Sequence, residues 1–292
     1  MAICFSSNQN RRPSNEDSFC QMEIRMNHEA AVTAMAVADG MGGMEGGKYF
    51  SDLAVKIWFG QLQQIMMGES FRGRSIQEQE EALRHFSTDV YKLLGNILYK
   101  QGMDKGYNGG TTLTTAIRFW DTLYISNCGD SPVYAMSEGK LRMVGELHNL
   151  AGRMVKEGKT NPGTQTYHQN KNLLVRYLGG KEGGIPFVTE IPAAQTDLLI
   201  LGSDGAFGEL TQEEIGNVFA EGGQPEEMLL RLFDQARGTG ETDNQTAILY
   251  VSDENKRSEF FDLSDGENVV KASSVRERLR IWRDGFRKGS GE

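Results

Sequence analysis

A chain of 292 residues with 31 basic and 40 acidic side chains has a formal net charge of −9, a field that repels phosphate backbones and argues against nucleic-acid binding. With 38% apolar and 24% charged residues it can fill a sizeable core and is too apolar for wholesale disorder. Cys4, Cys20 and Cys128 are odd in number and lack CxxC spacing, which argues against both a disulfide framework and a zinc site and predicts reduced thiols in a cytoplasm.

In chain order, the start turns polar at Ser6 without the features of a signal peptide, and no apolar run nears the ~20 residues of a membrane span. Residues 24–26 and 31–38 are β-compatible and flank the turn-like Asn27-His28-Glu29, which predicts a hairpin ending at Asp39. Over 48–67 the residues Phe50, Leu53, Ala54, Ile57, Trp58 and Leu62 recur at helical spacing. Residues 76–98 repeat the pattern with Leu83, Phe86, Val90, Leu93, Leu94 and Leu98, giving two long amphipathic helices. Short runs at 111–119, 122–127, 133–136 and 141–144, separated by turn residues, predict a meander of antiparallel strands.

Residues 147–156 suit a helix, and the polar, turn-rich 157–170 predicts a flap. A buried strand at 197–201 leads into Gly202-Ser203-Asp204-Gly205. Thr211 and Glu214 then form a capping box opening a helix over 212–219, with another at 225–236. An apolar strand at 246–251 follows Asp243-Asn244 directly. Strands in meanders with helix pairs between them predict an α+β fold with antiparallel sheets, not an alternating βαβ one. Past residue 252 the chain is acidic to 267. Residues 269–288 then carry seven basic side chains, with Val275, Leu279, Trp282 and Phe286 on one helical face. This predicts a basic amphipathic helix over 273–288 that either docks on its own domain or meets a partner protein or anionic surface.

The chemistry concentrates in acids beside turn residues at strand edges: Asp39-Gly40, Asp204-Gly205 and Asp243-Asn244. Carboxylates brought together repel, and such a cluster is best explained by cations held between them. Oxygen-only ligands select hard ions such as magnesium, manganese or calcium. Asn15-Glu16-Asp17 adds two acids, and Arg12 on the same loop offers a planar fork that matches phosphate. Metals beside an arginine imply phosphoryl chemistry, in which two ions about 3.5–4 Å apart activate a water and no covalent nucleophile is needed.

Alone, each Asp-Gly or Asp-Asn is an ordinary turn dipeptide. Their order and company are specific. Ala38-Asp39-Gly40-Met41-Gly42-Gly43, followed by Gly47 and a helix, resembles the signature of the metal-dependent protein phosphatases, the type 2C family, in its bacterial form. The likeness extends to Arg12-Pro13-Ser14-Asn15-Glu16-Asp17-Ser18, Gly110-Thr111-Thr112, Asn127-Cys128-Gly129-Asp130-Ser131, Leu201-Gly202-Ser203-Asp204-Gly205 and Thr242-Asp243-Asn244-Gln245-Thr246, in the family's order across residues 1–252.

The resemblance implies a four-layer α-β-β-α sandwich, two antiparallel sheets flanked by helix pairs. It also implies two magnesium or manganese ions that activate a water against phosphoserine or phosphothreonine. Asp39 would bridge the ions and the Gly40 carbonyl would complete one shell. Asp204 and Asp243 would hold one ion, and Glu16 would reach the other through water. Asp17 would orient ligand waters, Arg12 would clamp the substrate phosphate, and Asn244 would support the ligands from behind.

Three departures stand out. Pro132 replaces the arginine that often follows Gly-Asp-Ser. Gly208 stands where relatives have an acid, and no Asp immediately precedes Gly109, the nearest being Asp104, so a third ion lacks two of its carboxylates. Met41 stands where some relatives have a proton-donating histidine, which leaves water as the general acid. His28, His85, His148 and His168 show no paired spacing and are assigned structural or surface roles. The expected partners are phosphorylated proteins, with no nucleic acid and no membrane span, and the chain is expected to be a cytoplasmic monomer. Two rival readings remain open: an inactive phosphoprotein-binding pseudophosphatase, and a two-metal hydrolase of small phosphoesters.

Overall fold

Apolar residues on both faces of the same strand decide the architecture. The structure is a computed structural model that describes residues 2–26, 31–42, 46–181 and 183–252; the turn at 27–29, Gly43, Met44 and the whole tail 253–292 lie outside the described residues. The first half holds β1 (Ala2–Asn8), β2 (Ser18–Arg25), β3 (Ala31–Ala38), β4 (Gly40–Met41), α1 (Gly46–Met67), α2 (Glu69–Arg72), α3 (Ile76–Lys105), β5 (Gly110–Thr111), β6 (Leu113–Phe119) and β7 (Thr122–Cys128). The second holds β8 (Val133–Ser137), β9 (Lys140–Met143), α4 (Leu150–Lys156), α5 (Gln165–Asn170), β10 (Phe187–Pro192), β11 (Leu198–Gly202), α6 (Gln212–Ala220), α7 (Pro225–Gly238) and β12 (Gln245–Val251).

Two antiparallel five-stranded sheets form, ordered β1-β12-β11-β8-β9 and β10-β7-β6-β3-β2. Along β3, Val32, Ala34, Ala36 and Ala38 pack outward with Trp58 of α1 and Tyr91 of α3. Met35 and Val37, one residue out of phase, pack inward with Leu199, Leu201, Ile248 and Tyr250 of the facing sheet. On β11 and β12 the alternate residues Leu198, Ile200, Ala247 and Leu249 turn outward onto Leu232 and Phe233 of α7. A period of two buried on both faces yields three cores and four layers, the sandwich implied by the resemblance. No helix of the described residues is long and apolar enough to cross a membrane.

The helices expected within the described residues are present, α1 and α4 ending where expected and α3, α6 and α7 running one to seven residues later. α3 starts at a capping box, in which Ser75 caps and Glu78 reaches back. It continues past residue 98 to stop at Gly106, whose φ of 68° suits the left-handed C-cap. The Thr211–Glu214 box opens α6 as predicted. The single meander over 111–144 is corrected. β6 and β7 pair in one sheet while β8 and β9 pair in the other. The chain crosses between them at Gly129, whose φ of 116° side chains rarely adopt. Besides the two-residue β4, two longer strands have no counterpart in the sequence reading. β1 buries only Cys4 and keeps the rest half-exposed, and β10, an edge strand, ends in Pro192, so neither shows a clean alternation.

α3 is pinned to its sheet by Tyr91. Its fully buried hydroxyl lies 2.9 Å from the Ser126 carbonyl, 3.2 Å from the Leu113 carbonyl and 3.1 Å from the Thr115 hydroxyl. Tyr91→Phe removes this buried hydroxyl and should cost about 0.5–1.5 kcal/mol in denaturant unfolding. A change under about 0.5 kcal/mol would mean the hydroxyl contributes nothing net.

Candidate metal centre

Antiparallel pairing brings the chemistry-bearing residues to one end of the sandwich. Asp39 follows β3, and Asp17 precedes β2, which pairs with β3 from Ser18 opposite Ala38. Asp204 follows β11, and Asp243 stands two residues before β12, which pairs with β11 from Gly202 opposite Ala247. β1 ends with Asn8 opposite Gln245, so the loop that follows delivers Arg12 and Glu16 to the same place. β7 runs parallel to β3 with β6 between them, and its continuation brings Asp130 to the same end.

Several contacts fix these groups. The Arg12 guanidinium, half-exposed, donates to Asp243 Oδ2 at 2.6 Å. Asp17 is 3% exposed; Ser203 donates its hydroxyl to Oδ2 at 2.8 Å, while Oδ1 is buried with no hydrogen-bond partner. Asn244 staples the loop. Its Oδ1 accepts the Glu16 amide at 2.9 Å, and its Nδ2 donates to the carbonyls of Gln9 and Ser14, each at 2.9 Å. Asn244 therefore acts on the loop backbone.

Gly40 and Gly47 permit a close approach. A Cβ on Gly40 would stand 2.2 Å from the Gly47 carbonyl oxygen, and one on Gly47 would stand 2.0 Å from Glu16 Oε2. The Asp39 backbone is held by Thr111 and Thr112. The Thr111 hydroxyl donates to its carbonyl at 2.9 Å, and its own amide donates to the Thr112 hydroxyl at 2.9 Å.

Burial and mutual repulsion push the carboxylates toward protonation. Asp17 is raised to about 7, first by burial and then by the charges of Asp204 and Asp243, against the hydroxyls of Thr246 and Ser203. Asp39 is held well above the usual carboxylate range by burial and by Asp17, Asp204, Asp130 and Asp243. Asp204 is raised by burial of its carboxylate and by Asp243, offset by a hydrogen bond from the Asp39 carboxyl. Asp204 is nonetheless open to solvent over much of its surface, the most exposed of the acids that sense one another here. Glu16 is raised by burial, and Arg12 opposes the rise. The guanidinium is in turn held more basic by Asp243, Asp204 and Asp39.

Among the described residues no three ligating side chains close on a common point. The acids form a loose ring rather than a protein cage. Hard ions that retain several waters fit such a ring, and the buried, partnerless Asp17 Oδ1 is an acceptor that such a hydrated shell would satisfy. The donor set, all oxygen and strongly anionic, suits magnesium or manganese.

A family model described as protein phosphatase 2C matches residues 7–239. The chain belongs to this family of protein phosphatases. A serine/threonine phosphatase stp of Listeria welshimeri serovar 6b is 31% identical over 241 residues, covering 82% of this chain and 90% of the relative. Stp1 from Staphylococcus aureus, a serine/threonine phosphatase, has the same fold: TM-score 0.72 at 22% identity, covering 85% of this chain and 94% of that one. The catalytic domain of the serine/threonine protein phosphatase PstP, solved with two manganese ions, has a TM-score of 0.63 at 25% identity, covering 85% of this chain and 96% of that one.

One acid of this phosphatase's ring and one hydroxyl that supports it went unassigned in the sequence reading. Asp130 is buried and raised to about 7 by burial and by Asp204, against an Asn149 amide donated at 3.3 Å. Ser203 is the hydroxyl that fixes Asp17. Both lay in quoted motifs, Gly129-Asp130-Ser131 and Gly202-Ser203-Asp204, so the signal was present without a role. Asp104 sits exposed on the last turn of α3.

His148 is buried beside this ring. Its Nδ1 accepts the Gly129 amide at 3.2 Å, and Arg176 lies 3.1 Å from Nε2. Burial and then Arg176 push it down to about 4, which keeps it neutral in a structural role. At α5, His168 and the following Lys171 both pair with Glu209, the histidine at 3.1 Å.

The raised acids fix the sign of a pH effect. Where a folded carboxyl keeps a proton that the unfolded chain has lost, stability falls as pH rises, here between about 4 and about 7 for Asp17 and Asp130. Cations that replace those protons relieve the loss. Thermal melts in EDTA and in manganese should therefore diverge as pH goes from about 5 to about 8, with the EDTA midpoint falling relative to the manganese one. A constant gap would mean that the ring is already neutralised without ions.

Proposed function

We propose that this chain, a metal-dependent protein serine/threonine phosphatase, hydrolyses phosphoserine and phosphothreonine in phosphorylated proteins by direct attack of water. In this reading Asp39, the Gly40 carbonyl, Asp204 and Asp243 hold two magnesium or manganese ions, and Glu16 reaches one of them through water. The observation that carries it is the convergence of these oxygens at one end of both sheets, with a buried Asp17 oxygen left unpartnered and Arg12 paired to Asp243. Ions bound there would acidify a water between them and offset the charge that builds on phosphorus.

The protein's own part is positioning. Asp17, locked by Ser203, would orient a ligand water through its unpartnered oxygen. Arg12 holds Asp243 through one terminal nitrogen and is half-exposed, so its fork is available for a phosphate at the mouth. Residues 1–252 are taken as the phosphatase domain, with 157–170 as a flap at its edge and 253–292 as a tail. Every residue that the reading needs, Arg12, Glu16, Asp17, Asp39, Asp204 and Asp243, is present; a non-catalytic binding module would be free to lose them.

The test is hydrolysis of a phosphothreonine peptide by the full chain with manganese and with chelator. Activity should require the metal and fall at least about a hundredfold in Asp204→Ala. No turnover with ions bound would move the reading to a phosphoprotein-binding module, and cleavage of nucleotides with peptides ignored would move it to small phosphoesters. Arg12→Ala should lower kcat/KM about ten- to a hundredfold, mainly through KM, with manganese affinity retained. Unaltered kinetics would remove Arg12 from the phosphate site.

A further inference from the structure

The proposed centre hangs on a short piece of backbone, Glu16-Asp17-Ser18, and the first turns of α1 grip that piece with side chains. Ser51 has no exposed surface; its hydroxyl donates to the Glu16 carbonyl at 2.6 Å and lies 2.9 Å from the Ser18 hydroxyl. Lys48 Nζ donates to the Asp17 carbonyl at 2.7 Å and to the Ser18 hydroxyl at 3.0 Å. Asp52 closes the network. It accepts from Ser18 at 2.6 Å and stands 3.2 Å from Lys48 Nζ. Asn244 holds the same piece from the other side through the Glu16 amide.

An ion pair four residues apart on a helix, with side chains 44% and 39% exposed, contributes little to global stability. Its location gives it a different effect. Lys48 ties down the peptide of an aspartate whose carboxylate has one oxygen without a partner, and Ser51 ties down the peptide of the neighbouring glutamate. The same turn of α1 brings Gly47 against the Glu16 carboxylate and against Gly40. A shift of α1 by a few tenths of an ångström would therefore move acids on both sides of the ring.

We propose that Lys48 and Ser51 are positioning residues of the metal centre, setting the affinity of the acidic ring for divalent cations by clamping the Glu16-Asp17-Ser18 backbone to α1. The inference rests on the metal-centre reading above. Groups that support metal ligands at one remove commonly change metal affinity about ten- to a hundredfold when lost.

The experiment is a calorimetric titration of the full chain with manganese, alongside thermal melts in EDTA. Lys48→Met and Ser51→Ala should each weaken manganese binding about tenfold or more. Lys48→Arg should restore most of the affinity, and the Lys48→Met midpoint in EDTA should stay within about 3 °C of wild type. Wild-type affinity in a folded Lys48→Met variant overturns the inference, as does an affinity loss that only tracks a fallen EDTA midpoint in both variants. Should Ser51→Ala fail to fold, Lys48→Met decides alone. A wild-type chain that takes up no manganese overturns the metal-centre reading and this inference with it, an outcome visible before any variant is made.

Discussion

Repulsion among buried carboxylates is the interaction on which the rest of the structure turns. Asp17, Asp39, Asp130 and Asp204 each hold their protons more tightly than a free carboxyl, with burial as the first cause and a neighbouring acid next or close behind. A chain that folded only for stability would scatter such groups or pair them. Here the available cations sit at the rim: Arg12 on Asp243, and Lys171 on Glu209. Arg12 meets only one carboxylate of the ring directly, Asp243, and acids so weakly compensated have the electrostatic form of a cation site.

Holding repelling groups together requires rigid attachment, and the two sheets supply it. Each acid sits within two residues of a strand end, and those strands are buried on both faces between three apolar cores. The irregular loop 9–17, which has no strand of its own, is held by side chains. Asn244 grips it from one direction and α1 from the other. The close contacts at Gly40 and Gly47 follow from the same demand, since any Cβ there would meet backbone or the Glu16 carboxylate. Stability at this end has been exchanged for a set of oxygens whose positions the fold itself fixes.

Family membership brings this arrangement into line with a known class of enzyme, and the physical reading agrees with it from an independent direction. The donor set selects hard ions, the arginine at the mouth suits a phosphate, and no nucleophilic side chain is required for water to attack. His148, placed next to the ring and held neutral at about 4, illustrates the limit of reading function from proximity. Its nitrogens are engaged by the Gly129 amide and by Arg176, and it serves the loop that carries Asp130.

Much of this was legible in the sequence because it is local. The hairpin ending at Asp39, the capping box at Thr211, the helices of the first half and the order of the acidic motifs are set by periodicity, turn chemistry and spacing, which act over a few residues. What the sequence could not set depends on pairing between distant segments. β1 and β10 are half-exposed edges without a clean alternation, so only their partners define them. The expected single meander divides because Gly129 lets the chain cross from one sheet to the other. Asp130, Ser203 and the Lys48–Ser51 clamp acquire their roles from neighbours between 19 and 186 positions away. The sequence by itself determined which oxygens and which cation this protein owns. The tertiary structure alone decided which of them share one crevice, because burial and repulsion depend on distance in space and not along the chain.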